Sequence, residues 1–195
     1  MIPPLHVVTD DAVVARADWV AVAAEVMEAG GPLLALHLRA PAAPGLAVYR
    51  WAEALRARTS GALLLVNDRV DVALATGADG VHLGRRGLAV ADVRALLGPG
   101  RWIGQSVRSA EDAEPGADFL LVGNVFPTAS HPGRPGIGTG GLAGDPPRIA
   151  IGGVTPGRVA ELRRAGARGV AAIRGIWDAP RPAEAVASYL QEWQG

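Results

Sequence analysis

The chain has 195 residues, of which 49% are hydrophobic and 19% charged, which excludes a disordered chain and predicts one domain with a substantial core. Its 19 basic and 19 acidic residues cancel, which argues against a nucleic-acid-binding or anionic-membrane-binding face. The absence of cysteine excludes disulfides, thiol catalysis and thiolate metal sites. No apolar run approaches the ~20 residues of a membrane span, and Met1–Leu5 lacks the features of a signal peptide, so we expect a cytoplasmic protein.

Eight short apolar segments have the composition of buried β-strands. They lack alternation of apolar and polar residues, which is typical of parallel strands covered on both faces. In chain order they are Leu5–Thr9, Leu33–Leu38, Ala62–Val66, Gly80–Leu83, Trp102–Ser106, Asp118–Val122, Arg148–Ile151 and Val170–Ile173.

Nearly every predicted strand is followed by a helical pattern. The helices are Trp19–Ala29 with Asp18 as its N-cap, Leu46–Arg58, Val70–Ala75, Val90–Leu97 and Ala183–Trp193, with shorter ones after Ser109, Thr155 and Gly175. After the sixth strand only Gly138–Gly144 is available for a helix. This alternation predicts an α/β fold with a parallel sheet, and eight units favour a single small (β/α)8 TIM barrel over residues 1–195. A doubly wound open sheet is the alternative.

The seventh strand ends in two glycines, Gly152 and Gly153, directly before a helix start at Thr155 and Pro156. Glycines there allow backbone N–H groups to approach an anion, and the helix start adds partial positive charge. The eighth strand ends similarly, at Arg174-Gly175. The two turns together predict a phosphate-binding cup, although glycines that only make tight turns give the same pattern.

Polar residues stand at most of the other strand ends, where a barrel would collect them in one mouth. They are Thr9, Asp10, His37, Arg39, Asn67, Asp68, His82, Gln105, Ser106 and Asn124. His37 and Arg39 lie two residues apart and therefore face the same side of their strand. Two structural alternatives remain open, because Asn67-Asp68 also suits a helix N-cap and His82 also suits a hydrogen-bonded interior site.

Residues 124–141 form a long irregular stretch, rich in glycine and proline, that carries Thr128, Ser130 and His131. A long ordered loop in a compact domain usually has a function, so we expect it to border the mouth. His131 also suits an ordinary exposed loop position.

Seven motifs in this order and spacing resemble the thiamine phosphate synthase / thiazole tautomerase (TenI) superfamily. They are Thr9-Asp10, His37-Leu38-Arg39, Val66–Asp71, Gly80–Gly84, Gly104–Val107, Gly123–Thr128 and Ala150–Val154. The resemblance covers essentially the whole chain and implies a small (β/α)8 barrel that acts in thiamine biosynthesis or salvage.

The chain departs from the synthase pattern in the half that holds a pyrimidine pyrophosphate with Mg²⁺. The resemblance places Pro41 and His131 where the synthase has lysines, and Gly87 where it has a metal-binding Asp. Asp68 is then the remaining carboxylate of the pattern, and Mg²⁺ prefers hard oxygen ligands. The cup for the thiazole phosphate, formed by Gly152, Gly153, Arg174 and Gly175, is retained.

The resemblance therefore implies the tautomerase branch, an isomerase that aromatises a carboxythiazole phosphate. This proton transfer needs an acid/base group with a pKa near neutrality, which histidine supplies. His131 is the first candidate and His37 the second, and Asn124 occupies the position where the tautomerase pattern has a histidine. The substrate-binding residues expected in the mouth are Arg39, Asn67, His82, Ser106, Thr128 and Ser130.

Two other functions are retained as alternatives. One is a thiamine phosphate synthase, a transferase that joins hydroxymethylpyrimidine pyrophosphate to thiazole phosphate. The other is a non-catalytic ligand-binding or regulatory protein of the thiamine pathway. The tautomerase requires no cofactor or metal, and Mg²⁺ at Asp68 enters only with the synthase. The expected partner is a phosphorylated thiazole, with neither nucleic acid nor membrane, and homo-oligomerisation is left open.

Overall fold

The computed structural model describes residues 1–58, 61–128, 133 and 135–195. Eight parallel strands form a closed barrel in sequence order, in which β1 pairs with both β2 and β8. The strands are β1 Leu5–Val8, β2 Leu34–Leu38, β3 Leu63–Asn67, β4 Gly80–Leu83, β5 Trp102–Val107, β6 Phe119–Gly123, β7 Arg148–Ile151 and β8 Gly169–Ala172. The predicted (β/α)8 TIM barrel is confirmed, and the open sheet is excluded because Leu5 lies beside Val170.

Helices follow most of the strands and cover the outside of the barrel. They are α1 Asp11–Val14, α2 Trp19–Gly30, α3 Gly45–Arg56, α4 Val70–Thr76, α5 Val90–Leu97, α6 Val159–Arg164, α7 Arg174–Trp177 and α8 Pro182–Gln194, with 3₁₀ turns at Gly31–Leu33, Ala110–Asp112 and Pro156–Arg158. Among the described residues between β6 and β7 there is no helix, so Gly138–Gly144 is irregular.

The beginning of the helical layer differs from the sequence-based prediction. Helix α1 was not predicted, and its N-cap is Asp10, whose Oδ1 accepts a hydrogen bond from the Val13 N–H at 3.0 Å. The predicted cap Asp18 makes no such bond to α2. Both residues suit a cap by type, so the sequence signal does not distinguish between them.

The main apolar core lies between the strands and the helices. Leu34, Leu36 and Leu38 alternate with inward-facing residues along β2 and are completely buried in this layer. Trp177 joins helix α7 to the barrel wall, because its Nε1–H donates to the Val8 carbonyl at 2.8 Å. The wall is therefore held on both faces, as an all-parallel sheet requires.

The inside of the barrel is a second, smaller core in which apolar and imidazole side chains are mixed. Phe119 fills its centre, with ring centroids 5.2 Å from His6 and 5.8 Å from His82. Gly104 provides the space, because a Cβ there would lie 2.2 Å from Phe119 Cζ and 2.6 Å from His82 Nδ1. This packed layer forms the floor of the cavity above it.

No helix in the described ranges combines the length and the apolar character that crossing a membrane requires.

Candidate active site

One continuous cavity opens at the carboxyl ends of the strands, which is the face where barrels of this type carry their sites. Six residues expected in the mouth line it together: Arg39, Asn67, His82, Ser106, Asn124 and Gly152. Thr128 and Asp68 also line it, as do Gly153, Arg174 and Gly175. Ser130 and His131 lie outside the described residues. The structure thus brings the described candidates into one place, and their chemical roles remain proposals.

His37 lies deeper than the sequence suggested. Its side chain is completely buried beneath the cavity. Arg39, two residues later and just after the end of β2, lines the cavity and is exposed. Burial, followed by the neighbouring His6 and His82, lowers the pKa of His37 well below its usual range. An imidazole held neutral and away from the cavity surface does not suit the acid/base role that we expected for it.

His6 is a functional candidate that the sequence reasoning missed. Its Nε2 lies 3.0 Å from the Pro3 carbonyl and its Nδ1 lies 2.7 Å from His37 Nε2. Because a carbonyl only accepts, the neutral His6 carries its proton on Nε2, and the His37 Nε2–H donates to His6 Nδ1. Burial lowers the pKa of His6 to about 3, so this neutral chain persists at pH 7.

The hydrogen bonds from His37 through His6 to Pro3 also determine the role of the other ring nitrogen of His37, Nδ1. Its Nδ1 is left as an acceptor, and this buried atom and the nearby buried Asn67 Oδ1 both lack hydrogen-bond partners among the described residues. Two acceptors do not bond to each other, so exchanging the Asn67 amide nitrogen and oxygen turns this contact into a hydrogen bond. The histidine chain therefore sets the orientation of a side chain that lines the cavity.

His82 and Ser106 form a second polar pair on the cavity floor. His82 Nε2 lies 2.7 Å from Ser106 Oγ, and both residues line the cavity. Burial lowers the pKa of His82 to about 3. Repulsion between a protonated His82 and the positive charges of His6 and Arg39 acts on this pKa in the same direction. The pair therefore offers neutral hydrogen-bonding groups. Gln105, next in the strand, instead faces away from the cavity and bonds Glu114 at 3.0 Å.

Asp68 is exposed and makes a hydrogen bond to the turn that follows β4. Its φ of 58° is left-handed, and its Oδ1 accepts a hydrogen bond from the Gly84 N–H at 2.7 Å. The Gly87 N–H closes the turn on the Gly84 carbonyl at 2.9 Å. A Cβ on Gly87 would lie 2.9 Å from Asp68 Oδ1, so a side chain at position 87 would require the Asp68 carboxylate to move.

These residues do not fit the Mg²⁺ site that the family pattern implies. Asp10 and Asp68 are the carboxylates among the described residues that line the cavity, and Asp10 is engaged as the cap of α1. Asp68 uses Oδ1 to accept from the Gly84 N–H, which leaves its other oxygen as the carboxylate ligand that it can offer. In the described part of the chain, no group of three or more potential ligands is placed to hold a metal ion.

The glycine turns form the opposite side of the cavity. Gly152 and Gly153 have φ values of 98° and 65°, which only glycine adopts readily. Arg158 braces this turn: its Nη1–H donates to the Gly153 carbonyl at 2.6 Å and its guanidinium lies 4.2 Å from the centre of the Phe126 ring. The backbone conformation on which the predicted phosphate cup depends is thus held in place before any ligand binds.

Tyr189 of α8 connects the two glycine turns. Its hydroxyl donates to the Val154 carbonyl at 2.9 Å. A Cβ on Gly175 would clash with the Tyr189 hydroxyl oxygen, so the hydroxyl also packs against the second glycine turn. Burial raises the pKa of Tyr189 to about 12, so the hydroxyl keeps its proton and remains a donor. The helix after β8 therefore positions the turn after β7.

Comparison with known proteins identifies the family. A sequence model described as thiamine monophosphate synthase matches residues 5–176. The chain belongs to the thiamine monophosphate synthase family. The thiamine-phosphate synthase of Chlorobium phaeovibrioides is 37% identical, with 98% of this chain and 95% of that protein covered. The putative thiamine-phosphate synthase of Geobacter sulfurreducens is 40% identical, with 95% and 92% covered.

A solved structure gives the same result. Thiamine phosphate pyrophosphorylase from Pyrococcus furiosus superposes with a TM-score of 0.83 at 32% identity, covering 97% of this chain and 95% of that one. A bifunctional ThiM/ThiE protein of Symbiobacterium thermophilum is 45% identical, and the match covers 69% of this chain and 30% of that longer protein.

The expected thiazole tautomerase, an isomerase, is therefore wrong. The similar curated proteins are named as synthases at identities from 37% to 47%, and the alternative that we retained is the better supported one. The expectation failed because it treated Pro41 and Gly87 as the loss of an anion site. In the structure the arginines Arg85 and Arg86 line the same cavity as Asp68.

Proposed function

We propose that this chain is a thiamine phosphate synthase that joins hydroxymethylpyrimidine pyrophosphate to thiazole phosphate. The observation that carries the proposal is its similarity, over nearly its full length, to proteins named as thiamine-phosphate synthases. The cavity supports it, because one space contains two regions suited to anions. One is the braced glycine cup, and the other is the arginine-rich side near Asp68.

The reaction transfers a group without a change of oxidation state. The bond between the pyrimidine methylene carbon and a pyrophosphate oxygen breaks, and both electrons leave with the pyrophosphate. The thiazole nitrogen supplies an electron pair to the same carbon and forms the new carbon–nitrogen bond. The protein must hold the two substrates in line and stabilise the charge that develops on the leaving pyrophosphate.

The cavity residues divide this work by position. The backbone of Gly152, Gly153 and Gly175 holds the thiazole phosphate at one side. His82, Ser106 and Asn67 present neutral hydrogen-bonding groups on the floor, between the two anion regions.

Thr9 holds Arg39 at the mouth. Its Oγ1 accepts from the Arg39 N–H at 2.8 Å and is 2.8 Å from the Arg39 carbonyl, to which it donates. Thr9 is itself completely buried between β1 and β2. This pair of hydrogen bonds explains why a threonine follows β1.

The test is direct synthesis with purified protein and both substrates, with thiamine phosphate and released pyrophosphate quantified by mass spectrometry. We expect equal amounts of both products and a loss of rate in Arg39→Gln. Arg50→Gln, on the exposed side of α3, is the matched control and keeps the full rate. Binding of thiazole phosphate without product formation, with or without Mg²⁺, would contradict the proposal.

A further inference from the structure

We propose that Arg85 and Arg86, together with Arg39 and Arg108, hold the pyrophosphate in place of a divalent metal ion. This inference rests on the proposed function for the identity of the substrate, and on the structure for the site. It concerns the side of the cavity that faces Asp68, opposite the glycine cup.

The charge around the cavity is strongly one-sided. Arg39, Arg85, Arg86, Arg108 and Arg174 line it, whereas its described acidic residues are Asp10 and Asp68. The whole chain has equal numbers of acidic and basic residues, so this excess is local. A cleft lined by one sign of charge attracts ligands of the opposite sign, and a pyrophosphate is such a ligand.

These guanidinium groups are free to bind a ligand. Within the described ranges, the side chains of Arg39, Arg85, Arg86 and Arg108 make no salt bridge. Arg69 provides the contrast on a neighbouring loop, because its guanidinium is paired with Asp71 at 2.6 Å. These four cavity arginines therefore lack the carboxylate partner that Arg69 has.

The geometry of the turn explains how Arg85 and Arg86 come to face the cavity. They are the two central residues of the turn closed by the Gly87 N–H and the Gly84 carbonyl. The Gly84 N–H holds this turn against Asp68, and a side chain at position 87 would meet the Asp68 carboxylate. The glycine that takes the place of a metal ligand in the family pattern therefore belongs to the same turn as two arginines that line the cavity.

Arginine has the chemistry for this role. Its planar guanidinium forms two parallel charge-assisted hydrogen bonds to phosphate oxygens, and it stays charged at any working pH. Guanidinium groups and metal ions both stabilise developing charge on a departing phosphate group. Several unpaired arginines therefore supply what Mg²⁺ and lysine would supply elsewhere.

The first experiment measures the binding of inorganic pyrophosphate by calorimetry, in EDTA and in Mg²⁺. We expect binding in EDTA, and a loss of about tenfold or more in the double variant Arg85→Gln/Arg86→Gln, because charged hydrogen bonds are removed. The control is Arg50→Gln/Arg58→Gln, which removes the same charge from exposed positions of the helical layer and keeps the wild-type affinity. Binding seen only with Mg²⁺, or equal affinity in the two double variants, would overturn the inference.

A second variant separates the two mechanisms at Asp68. Asp68→Asn keeps an acceptor for the Gly84 N–H and tolerates the left-handed backbone, but it removes the charge that a metal needs. We expect it to bind pyrophosphate in EDTA at least as tightly as the wild type. Loss of pyrophosphate binding in this variant, with the fold retained by circular dichroism, would overturn the inference.

The outcomes distinguish this inference from the proposed function. Product formation that requires Mg²⁺ leaves the synthase standing and overturns the arginine site. Metal-free pyrophosphate binding that depends on Arg85 and Arg86, without product formation under any condition, supports the arginine site and contradicts the synthase.

Discussion

His6 Nδ1 and His37 Nε2 lie 2.7 Å apart inside the barrel, and both side chains are completely buried. Neither ring can gain a proton without bringing a charge into this interior, where burial lowers both pKa values. His82, on the same floor, is similarly held neutral. The floor of the cavity is therefore built for neutral imidazoles, and this makes the fold sensitive to acid.

We expect the free energy of unfolding to fall as the pH drops below about 6.5, the usual pKa of an unfolded histidine. The folded pKa values of His6 and His82 are about 3, so between these limits the unfolded chain binds more protons than the folded one. The stabilisation is thus complete above pH 6.5 and is lost towards pH 3, by up to about 1.4 kcal/mol per pH unit for each histidine. Urea unfolding between pH 5 and pH 7.5 measures the slope, and a flat profile would contradict this account.

Removing His6 should expose the importance of the buried pair. In His6→Leu the His37 Nε2–H loses its acceptor in a dry interior, which costs about 1–3 kcal/mol of stability. Chemical denaturation of His6→Leu, His37→Leu and the double variant forms a double-mutant cycle. Additive losses would show that the two rings do not interact, whereas we expect the double variant to lose less than the sum.

Gly153 should be required for the phosphate cup. A Cβ there would lie 2.7 Å from the Pro127 carbonyl oxygen, and its φ of 65° disfavours other residues. We expect Gly153→Ala to weaken binding of a thiazole phosphate about tenfold, because a one-ångström displacement disrupts a preorganised site. Gly157→Ala, four residues later with open space around its Cβ position, is the control. Equal affinities of the Gly153→Ala and Gly157→Ala variants for the thiazole phosphate, measured by calorimetry, would show that the phosphate does not bind at this turn.

Tyr189 should stabilise the cup from outside the cavity. Tyr189→Phe leaves the Val154 carbonyl without its donor, so we expect a loss of about 1–2 kcal/mol in stability together with weaker phosphate binding. Tyr49→Phe removes a hydroxyl that bonds Glu53 on the exposed side of α3 and should change stability by less than about 0.5 kcal/mol. Thermal unfolding with and without inorganic phosphate tests both effects. A Tyr189→Phe protein with unchanged phosphate stabilisation would remove the positioning role.

Gly104→Ala tests the packing of the floor. The added methyl group would enter the space of Phe119 and His82, and overpacking of this kind costs about 1–3 kcal/mol. Gly140→Ala has open space around the new methyl group and serves as the control. Similar unfolding midpoints for the two variants would mean that the floor is loosely packed.

The strands could be predicted from the sequence because each is a short, mostly apolar segment without strict alternation. The positions of Arg39 and Ser106 at the mouth follow from the same rule. The pairing of His6 with His37 could not be predicted, since it depends on which inward positions of β1 and β2 share a layer. Alternation along β5 could have excluded Gln105, because Ser106 and Gln105 face opposite sides of a strand.

The error about function has a physical origin as well. We treated Gly87 only as the loss of a metal-binding carboxylate and did not consider the residues beside it. In the structure this glycine closes a turn through its backbone N–H, and the two central residues of that turn, Arg85 and Arg86, line the cavity. A glycine that permits a close approach is not visible as such in a single sequence, because its neighbour Asp68 comes from another strand end.

The closure of the barrel has a consequence for how the chain folds as it is synthesised. Leu5 of β1 pairs with Val170 of β8, and the Val170 N–H donates to the Pro4 carbonyl at 2.8 Å. Until β8 emerges from the ribosome, β1 and β7 are therefore open edges of an incomplete sheet, with unpaired backbone groups that invite pairing with other chains. The pairing that closes the barrel joins two parts of the chain that are far apart in sequence, so both edges stay open until β8 has been synthesised.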